Sequence, residues 1–317
     1  MALVAHEAGH AVAGRLVGFR FGILAVGPLC IHKGGRRLSV RWLPPSHWGP
    51  FALTYPVTTE NLTARTAWCV AGGPIASLLL ASVGAILVWL TPEPAIHSVA
   101  APLALTSACV FVATAQPFGT GSGIASDGGR VLALVRNKND ARSAAALVAL
   151  EGLTEAGIRP RDWDSDLVGL AGQVSTPPAY ALSAATALLR HAEDVGDLAE
   201  ARNQIDRVRS VYPRVPRWLR ADAAVEAAFW LAYFQNDASS ARAFLRDARG
   251  PLVAGHRRLR AEAAVLLRSG DRAGARDALD NATAVLGQGL AAASPLDMEL
   301  IEAVRRDLAG TSPSPSC

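Results

Sequence analysis

The chain begins Met1-Ala-Leu-Val-Ala-His6-Glu7-Ala8-Gly9-His10-Ala-Val-Ala-Gly-Arg-Leu-Val17, and the rest of the sequence is read outward from this run. Residues four apart on a helix share a face, so His6 and His10 stand one above the other with Glu7 one step round. Apart from these three and Arg15 the run is apolar on every side. A surface helix of a soluble protein shows a polar face, and none is present. Ionisable side chains in a lipid-compatible helix are costly and turn towards a bundle interior or a water-filled cavity, which makes His6, Glu7 and His10 functional candidates.

Composition divides the 317 residues into two unlike halves. Hydrophobic residues make up 50% and charged residues 18%, below the ~25% usual for soluble domains. Residues 64–91 include Ala71-Gly-Gly-Pro-Ile-Ala-Ser-Leu-Leu-Leu-Ala-Ser, and residues 95–117 contain no Asp, Glu, Lys or Arg. Each run meets the roughly 20 residues needed to cross a hydrocarbon core. From about residue 136 charges become dense. The expected fold is therefore mainly α: polytopic membrane helices with a small β-hairpin, followed by a cytosolic α-helical repeat or bundle domain.

Basic residues orient the chain. Arg15, Arg20, Lys33, Arg36, Arg37, Arg41 and Arg65 lie between the motif and the second apolar run, whereas 91–96 carries no Lys or Arg. The positive-inside rule places the former segment, and the C-terminal half two crossings later, in the cytoplasm. The expected localisation is an integral, multi-pass cell-membrane protein. Within the first loop, residues 21–32 read as a strand, Lys33-Gly-Gly-Arg-Arg as a turn and residues 38–43 as an alternating strand, which together make the hairpin.

Two histidines at this spacing, with a carboxylate between them, suit metal-assisted hydrolysis. Zinc with three protein ligands keeps one position open, acidifies a bound water and polarises a carbonyl, while the Glu moves the proton. Soluble zinc proteases draw their third ligand from the region after the motif helix, which offers His32 or Glu60, neither within a second motif. Asp127 stands before two glycines, a pattern that also starts and caps a helix.

Three pieces, His6-Glu-Ala-Gly-His10, Gly72-Gly-Pro-Ile-Ala-Ser77 and Ser126-Asp-Gly-Gly-Arg130, together resemble the site-2 protease family of intramembrane zinc metalloproteases over about residues 1–150. The resemblance implies that His6, His10 and Asp127 bind Zn2+, that Glu7 is the general base, and that Gly73, Pro74 and Ser77 bind or support substrate. It also implies hydrolysis of a peptide bond in a transmembrane protein substrate, with the hairpin near the active site offering an edge to an extended chain. The sequence departs from the family at Ser77, where Asn is usual, and ahead of Asp127, where Gln116-Pro117 and a glycine-rich segment replace an Asn and prolines. These departures bear on substrate clamping and keep a second reading open, a catalytically degenerate membrane scaffold of the same fold.

The C-terminal half repeats itself. Gly196-Asp-Leu-Ala-Glu-Ala-Arg202, Asn236-Asp-Ala-Ser-Ser-Ala-Arg242 and Gly270-Asp-Arg-Ala-Gly-Ala-Arg276 lie 40 and 34 residues apart. A tetratricopeptide-like unit has about 34 residues, and arrays of such hairpins form concave surfaces for a peptide or protein partner. The expected domains are a membrane metalloprotease core at 1–136, an amphipathic helix and linker at 137–178, helical hairpins at 179–309 and a disordered tail at 310–317.

Other classes find no support. Asp162, Asp164 and Asp166 alternate but lack the Gly and Glu of a calcium loop. Cys30, Cys69, Cys109 and Cys317 form no paired motif. A net charge of +4 suits an anionic lipid surface, and no aromatic-basic interleaving points to nucleic acid. Only five residues precede His6, about 7.5 Å of helix, so the reading frame is expected to extend upstream.

Overall fold

The computed structural model describes residues 1–310 except 35–36, 43–48, 57, 120–124, 137, 176, 249–252 and 287–292. It divides into two units, residues 1–152 and 153–317. Of the expected tail at 310–317, residues 311–317 lie outside the described residues, as do the glycine-rich residues 120–124.

In the first unit the motif run forms α1 (Ala2–Leu16), and the two apolar runs form α2 (Leu62–Leu90) and α3 (Pro94–Ala115). Both α2 and α3 are long and apolar enough to cross a membrane. Small residues let α1 and α2 meet backbone to backbone: a Cβ on Gly9 would lie 2.3 Å from the Gly72 carbonyl oxygen, and one on Gly72 would lie 2.4 Å from that of Gly9. Pro74 sits inside α2, where it donates no amide to the Val70 carbonyl, yet the helix continues for sixteen residues beyond it.

The sheet is larger than the expected hairpin. Strands β1 (Arg20–Val26), β2 (Leu29–Gly34), β3 (Arg37–Trp42) and β4 (Phe51–Tyr55) form one antiparallel sheet in the order β3-β2-β1-β4. Residues 21–32 are thus two strands. Gly27, with φ at +58°, and Pro28 reverse the chain so that Val26 pairs with Leu29. β2 pairs with β3, Gly34 opposite Arg37, and the expected turn at residues 35–36 lies outside the described residues. β4 pairs with the other side of β1, Arg20 opposite Tyr55.

Helix α4 (Asp127–Arg136) follows α3, and its cap is not the expected one. The Ser126 hydroxyl accepts from the Gly129 amide at 3.1 Å and donates to the Gln116 carbonyl, which leaves the Asp127 carboxylate free of that role. Helix α5 (Lys138–Glu155) departs from the expected surface-lying amphipathic helix: Ala145, Ala146, Leu147, Ala149 and Leu150 are all buried. Small residues along it permit close packing, and a Cβ at Gly152 would lie 2.2 Å from that of Tyr55 in β4.

The second unit starts with α6 (Ser165–Gly172) and then builds three helical hairpins: α7 (Pro178–Val195) with α8 (Leu198–Val211), α9 (Ala221–Tyr233) with α10 (Ala238–Leu245), and α11 (Gly255–Arg268) with α12 (Arg272–Ala284). α13 (Pro295–Ala309) closes the series. The repeated motif explains the turns. Gly196, Asn236 and Gly270 adopt positive φ, and the following Asp197, Asp237 and Asp271 each cap the next helix by accepting from Glu200, Ser240 and Gly274 amides. The alanine four residues after each Asp, at 201, 241 and 275, is fully buried.

Helices α7, α9, α11 and α13 pack on one another in sequence. Charged side chains are buried between them. Arg260 reaches Glu226 at 2.6 Å and Asp297 at 3.2 Å, Arg190 bridges the same two carboxylates at 3.5 and 3.3 Å, and Arg257 lies 3.3 Å from Asp297. Beside them Glu193 has both carboxyl oxygens shielded from solvent without a hydrogen-bond partner among the described residues.

Burial, reinforced by the Glu226 and Asp297 carboxylates and opposed by Arg260 and Arg190, pushes the Glu193 carboxyl up to about 8. The unfolded chain gives up this proton near pH 4.3 or so. Between those values the folded state holds the extra proton, so the stabilisation is full below the lower value and is lost as pH rises through about 8. Thermal melting of the full chain in detergent is expected to show a fall in the helical unit's transition between about pH 4.5 and 8 that Glu193→Gln flattens. An equal fall in both would remove Glu193 as its source.

Candidate metal centre

Helical spacing brings the His6 and His10 rings edge to face, with centroids 4.8 Å apart. Their Nε2 atoms lie 3.2 Å from each other. Asp127, at the start of α4, sends Oδ2 to 3.1 Å from His6 Nε2 and 3.4 Å from His10 Nε2. Three donor atoms from two helices thus converge on one point. Among the described residues this is the group of His, Cys, Asp and Glu side chains placed to hold a metal ion.

The donor set passes a simple geometric test. Nitrogen and oxygen ligands at about 2.0–2.1 Å around a tetrahedral ion are separated by about 3.3–3.4 Å, close to the spacings found here. The outward nitrogens are held as well. His10 Nδ1 donates to the Cys69 carbonyl at 3.1 Å; because a carbonyl only accepts, the proton is on Nδ1 and the Nε2 lone pair faces the convergence point. His6 Nδ1 lies 2.9 Å from the hydroxyl oxygen of Ser77, a fully buried residue.

The residues of the Gly-Pro segment divide by role. Gly73 makes room for the imidazoles, since a Cβ there would lie 2.3 Å from His10 Nε2 and 2.8 Å from His6 Cε1. Ser77 orients His6 and is closed to solvent, so its contact is with the histidine. Pro74 lines an apolar cavity beside Asp127. The glycines after Asp127 have a packing reason: a Cβ on Gly128 would lie 1.9 Å from the Ala115 carbonyl oxygen, so only glycine lets α4 begin against the end of α3.

Glu7 is buried on the same helix, and the backbone of Ala52 in β4 lies beside its carboxylate. Thr54 of β4 also lies 3.1 Å from Cys69 Sγ, which ties this strand to the helix whose carbonyl holds His10. The part played by β4 was not legible in the sequence, because no motif marks Phe51-Ala-Leu-Thr-Tyr55. The alternative third ligands stand elsewhere: His32 is in β2 opposite Ile23 and Ser39, and the Glu60 carbonyl receives Arg65. Comparison with protein-family models, with curated proteins and with solved structures finds no match to this chain.

Proposed function

We propose that the chain is an intramembrane zinc metalloprotease that hydrolyses peptide bonds of membrane-embedded substrates. The observation that carries this reading is the convergence of His6, His10 and Asp127 with Glu7 alongside. His6, His10 and Asp127 would hold Zn2+, which when bound supplies Lewis-acid polarisation of a carbonyl and an acidified water. Glu7 takes the proton of the attacking water and returns it to the leaving amine. The Ser77 hydroxyl and the Cys69 carbonyl keep both imidazoles aimed inward.

Substrate presentation has a physical route. β4 ends the sheet order, and its Ala52 backbone already reaches Glu7. An extended chain added at this edge brings peptide bonds to the carboxylate.

Membrane placement is supported by the outward faces of α2 and α3, where Leu79, Val83, Val99 and Leu105 are all exposed. Trp68 and Trp89 are 63% and 83% exposed near opposite ends of α2. Their 21-residue separation corresponds to about 31 Å, the thickness of a hydrocarbon core bounded by aromatic belts. Gly73 and Ser77 follow Trp68 by five and nine residues, which sets the donor cluster about 7–14 Å below that interface. The chain is then a multi-pass membrane protein with residues 153–317 on the cytosolic side, where the helical unit would receive a peptide or protein partner.

The test is zinc content per detergent-purified chain, followed by mapping of new N-termini in host membrane proteins co-reconstituted with it. One zinc is expected in wild type and Glu7→Gln, under about a tenth of that in His6→Ala and Asp127→Ala, and new N-termini only with wild type. Absence of zinc from wild type would sink the reading. Zinc without any cleavage would favour the catalytically degenerate scaffold.

A further inference from the structure

Behind the two histidines, Thr54 of β4 meets both α1 and α2. Its hydroxyl oxygen lies 3.1 Å from Cys69 Sγ, and the Cys69 thiol donates to the His10 carbonyl at 3.6 Å. A thiol carries one hydrogen, so the Thr54 hydroxyl is the donor to the sulfur. His10 answers through its ring, whose Nδ1 donates to the Cys69 carbonyl at 3.1 Å. Cys69 and His10 are thus tied twice, side chain to backbone in each direction, and Thr54 holds the sulfur end of the pair. The threonine has little room to turn away. It is 8% exposed, and a Cβ on Gly14 of α1 would lie 2.5 Å from its Oγ1 and 3.0 Å from its Cγ2.

We propose that Thr54 is a positioning residue for the metal centre, setting the aim of His10 through Cys69. The inference rests on the metal-centre reading and deepens it. The Cys69 carbonyl fixes where the His10 ring points, and a ring that turns carries Nε2 away from the point it shares with His6 and Asp127. The turn of α2 after Cys69 is less able than most to hold that carbonyl by itself. Pro74 offers no amide to the Val70 carbonyl, so the helical ladder is one hydrogen bond short there. A contact from outside the helix makes up the deficit, and a β-branched side chain, stiff at χ1, is suited to supply it. The same strand lays the Ala52 backbone beside Glu7, so β4 attends both to the base and to the support of a ligand.

The experiment measures zinc affinity of the full chain in detergent by competition with a chromophoric chelator, together with the visible absorption of the cobalt-loaded chain. Thr54→Val keeps the branched shape and deletes the donor, whereas Thr54→Ser keeps the donor. Groups that orient metal ligands are worth about 10–100-fold in affinity, and Thr54 acts one contact further out, so Thr54→Val is expected to weaken zinc binding about tenfold. Thr54→Ser should stay within about threefold of wild type and keep the cobalt spectrum that Thr54→Val shifts. Cys69→Ala removes the sulfur and leaves the carbonyl. It should match Thr54→Val, and the double variant should bind no more weakly than either single one, because both break the same path. A threonine that only packs would lower the melting temperature and leave the zinc affinity of the folded protein and the cobalt spectrum unmoved. Zinc affinity within about twofold of wild type in Thr54→Val, or in Cys69→Ala where Thr54→Val fails to fold, would overturn the proposal, as would additive losses in the double variant. No zinc bound by wild type would overturn the metal-centre reading itself, and the role of Thr54 with it.

Discussion

Gly73→Ala is expected to strip the chain of zinc while leaving its helices folded. The added methyl would lie 2.3 Å from His10 Nε2, 2.6 Å from His10 Cε1 and 2.8 Å from His6 Cε1. Real carbon atoms do not approach that closely, so both imidazoles must turn away, and with them the two nitrogens that meet Asp127. Because the obstructing atoms are ends of side chains, the backbone of α1 and α2 need not move. The expected result is bound zinc below about a tenth of the wild-type content, with circular dichroism and gel-filtration behaviour unchanged; loss of an orienting contact alone typically costs about 10–100-fold in metal affinity, and loss of two ligand positions costs more. Gly72→Ala is the instructive contrast. Its methyl would lie 2.4 Å from the Gly9 carbonyl oxygen, a backbone atom, so the helices themselves must separate. That variant should lose folded yield as well as zinc. Full zinc in Gly73→Ala would show that the imidazoles have another rotamer able to hold the ion.

The second large effect lies in the helical unit. Asp297 is fully buried and faces Arg190, Arg257 and Arg260, with His256 at 3.6 Å. Its carboxyl is held well below the usual carboxylate range, with the three guanidinium groups and the His256 contact overcoming the burial that alone would raise it. Asp297→Ala leaves those guanidinium groups crowded around Glu226, an uncompensated buried charge that typically costs about 3–5 kcal/mol. For a unit of this size the transition should fall by about 6–20 °C. Asp297 also completes a capping box with Ser294 at the start of α13, so Asp297→Asn is a necessary companion. An amide can still accept from the Ser294 amide. Its recovery relative to Ala should therefore be only the cap's share, about 1 kcal/mol. A melting temperature within about 2 °C of wild type for Asp297→Ala would show that water enters and solvates the freed guanidinium groups.

Much of the architecture was visible in local patterns. The motif helix, both long apolar helices and the three turn-Asp repeats all formed where periodicity and turn chemistry predicted them, since each depends on residues within a few positions of one another. The hairpin was misread because the apolar content of residues 21–32 outweighed the Gly27-Pro28 turn signal inside it. β4 was missed because a five-residue strand with no alternation gains its identity from pairing with β1, about 30 residues away. α5 looked like a surface helix because Lys138, Asp140 and Arg142 dominate its start, whereas its small residues further along are buried. The ion-pair network of the helical unit was not legible either: Arg190, Glu226, Arg260 and Asp297 come from four different helices, and their neutralising contacts depend on how those helices pack.

The candidate site shows the same division. Spacing in the chain is enough to place two imidazoles and a carboxylate on one helix, because a helix repeats every 3.6 residues whatever surrounds it. Likeness in the order of three motifs singled out Asp127, but nothing local to Asp127 says that its oxygen stands 3.1 Å from a histidine 121 residues earlier. Packing alone settled that distance, the freeing of the Asp127 carboxylate by the Ser126 cap, the aiming of the imidazoles by Ser77 and the Cys69 carbonyl, and the cavity alongside. Those features belong to contacts between elements far apart in the chain, which periodicity does not encode.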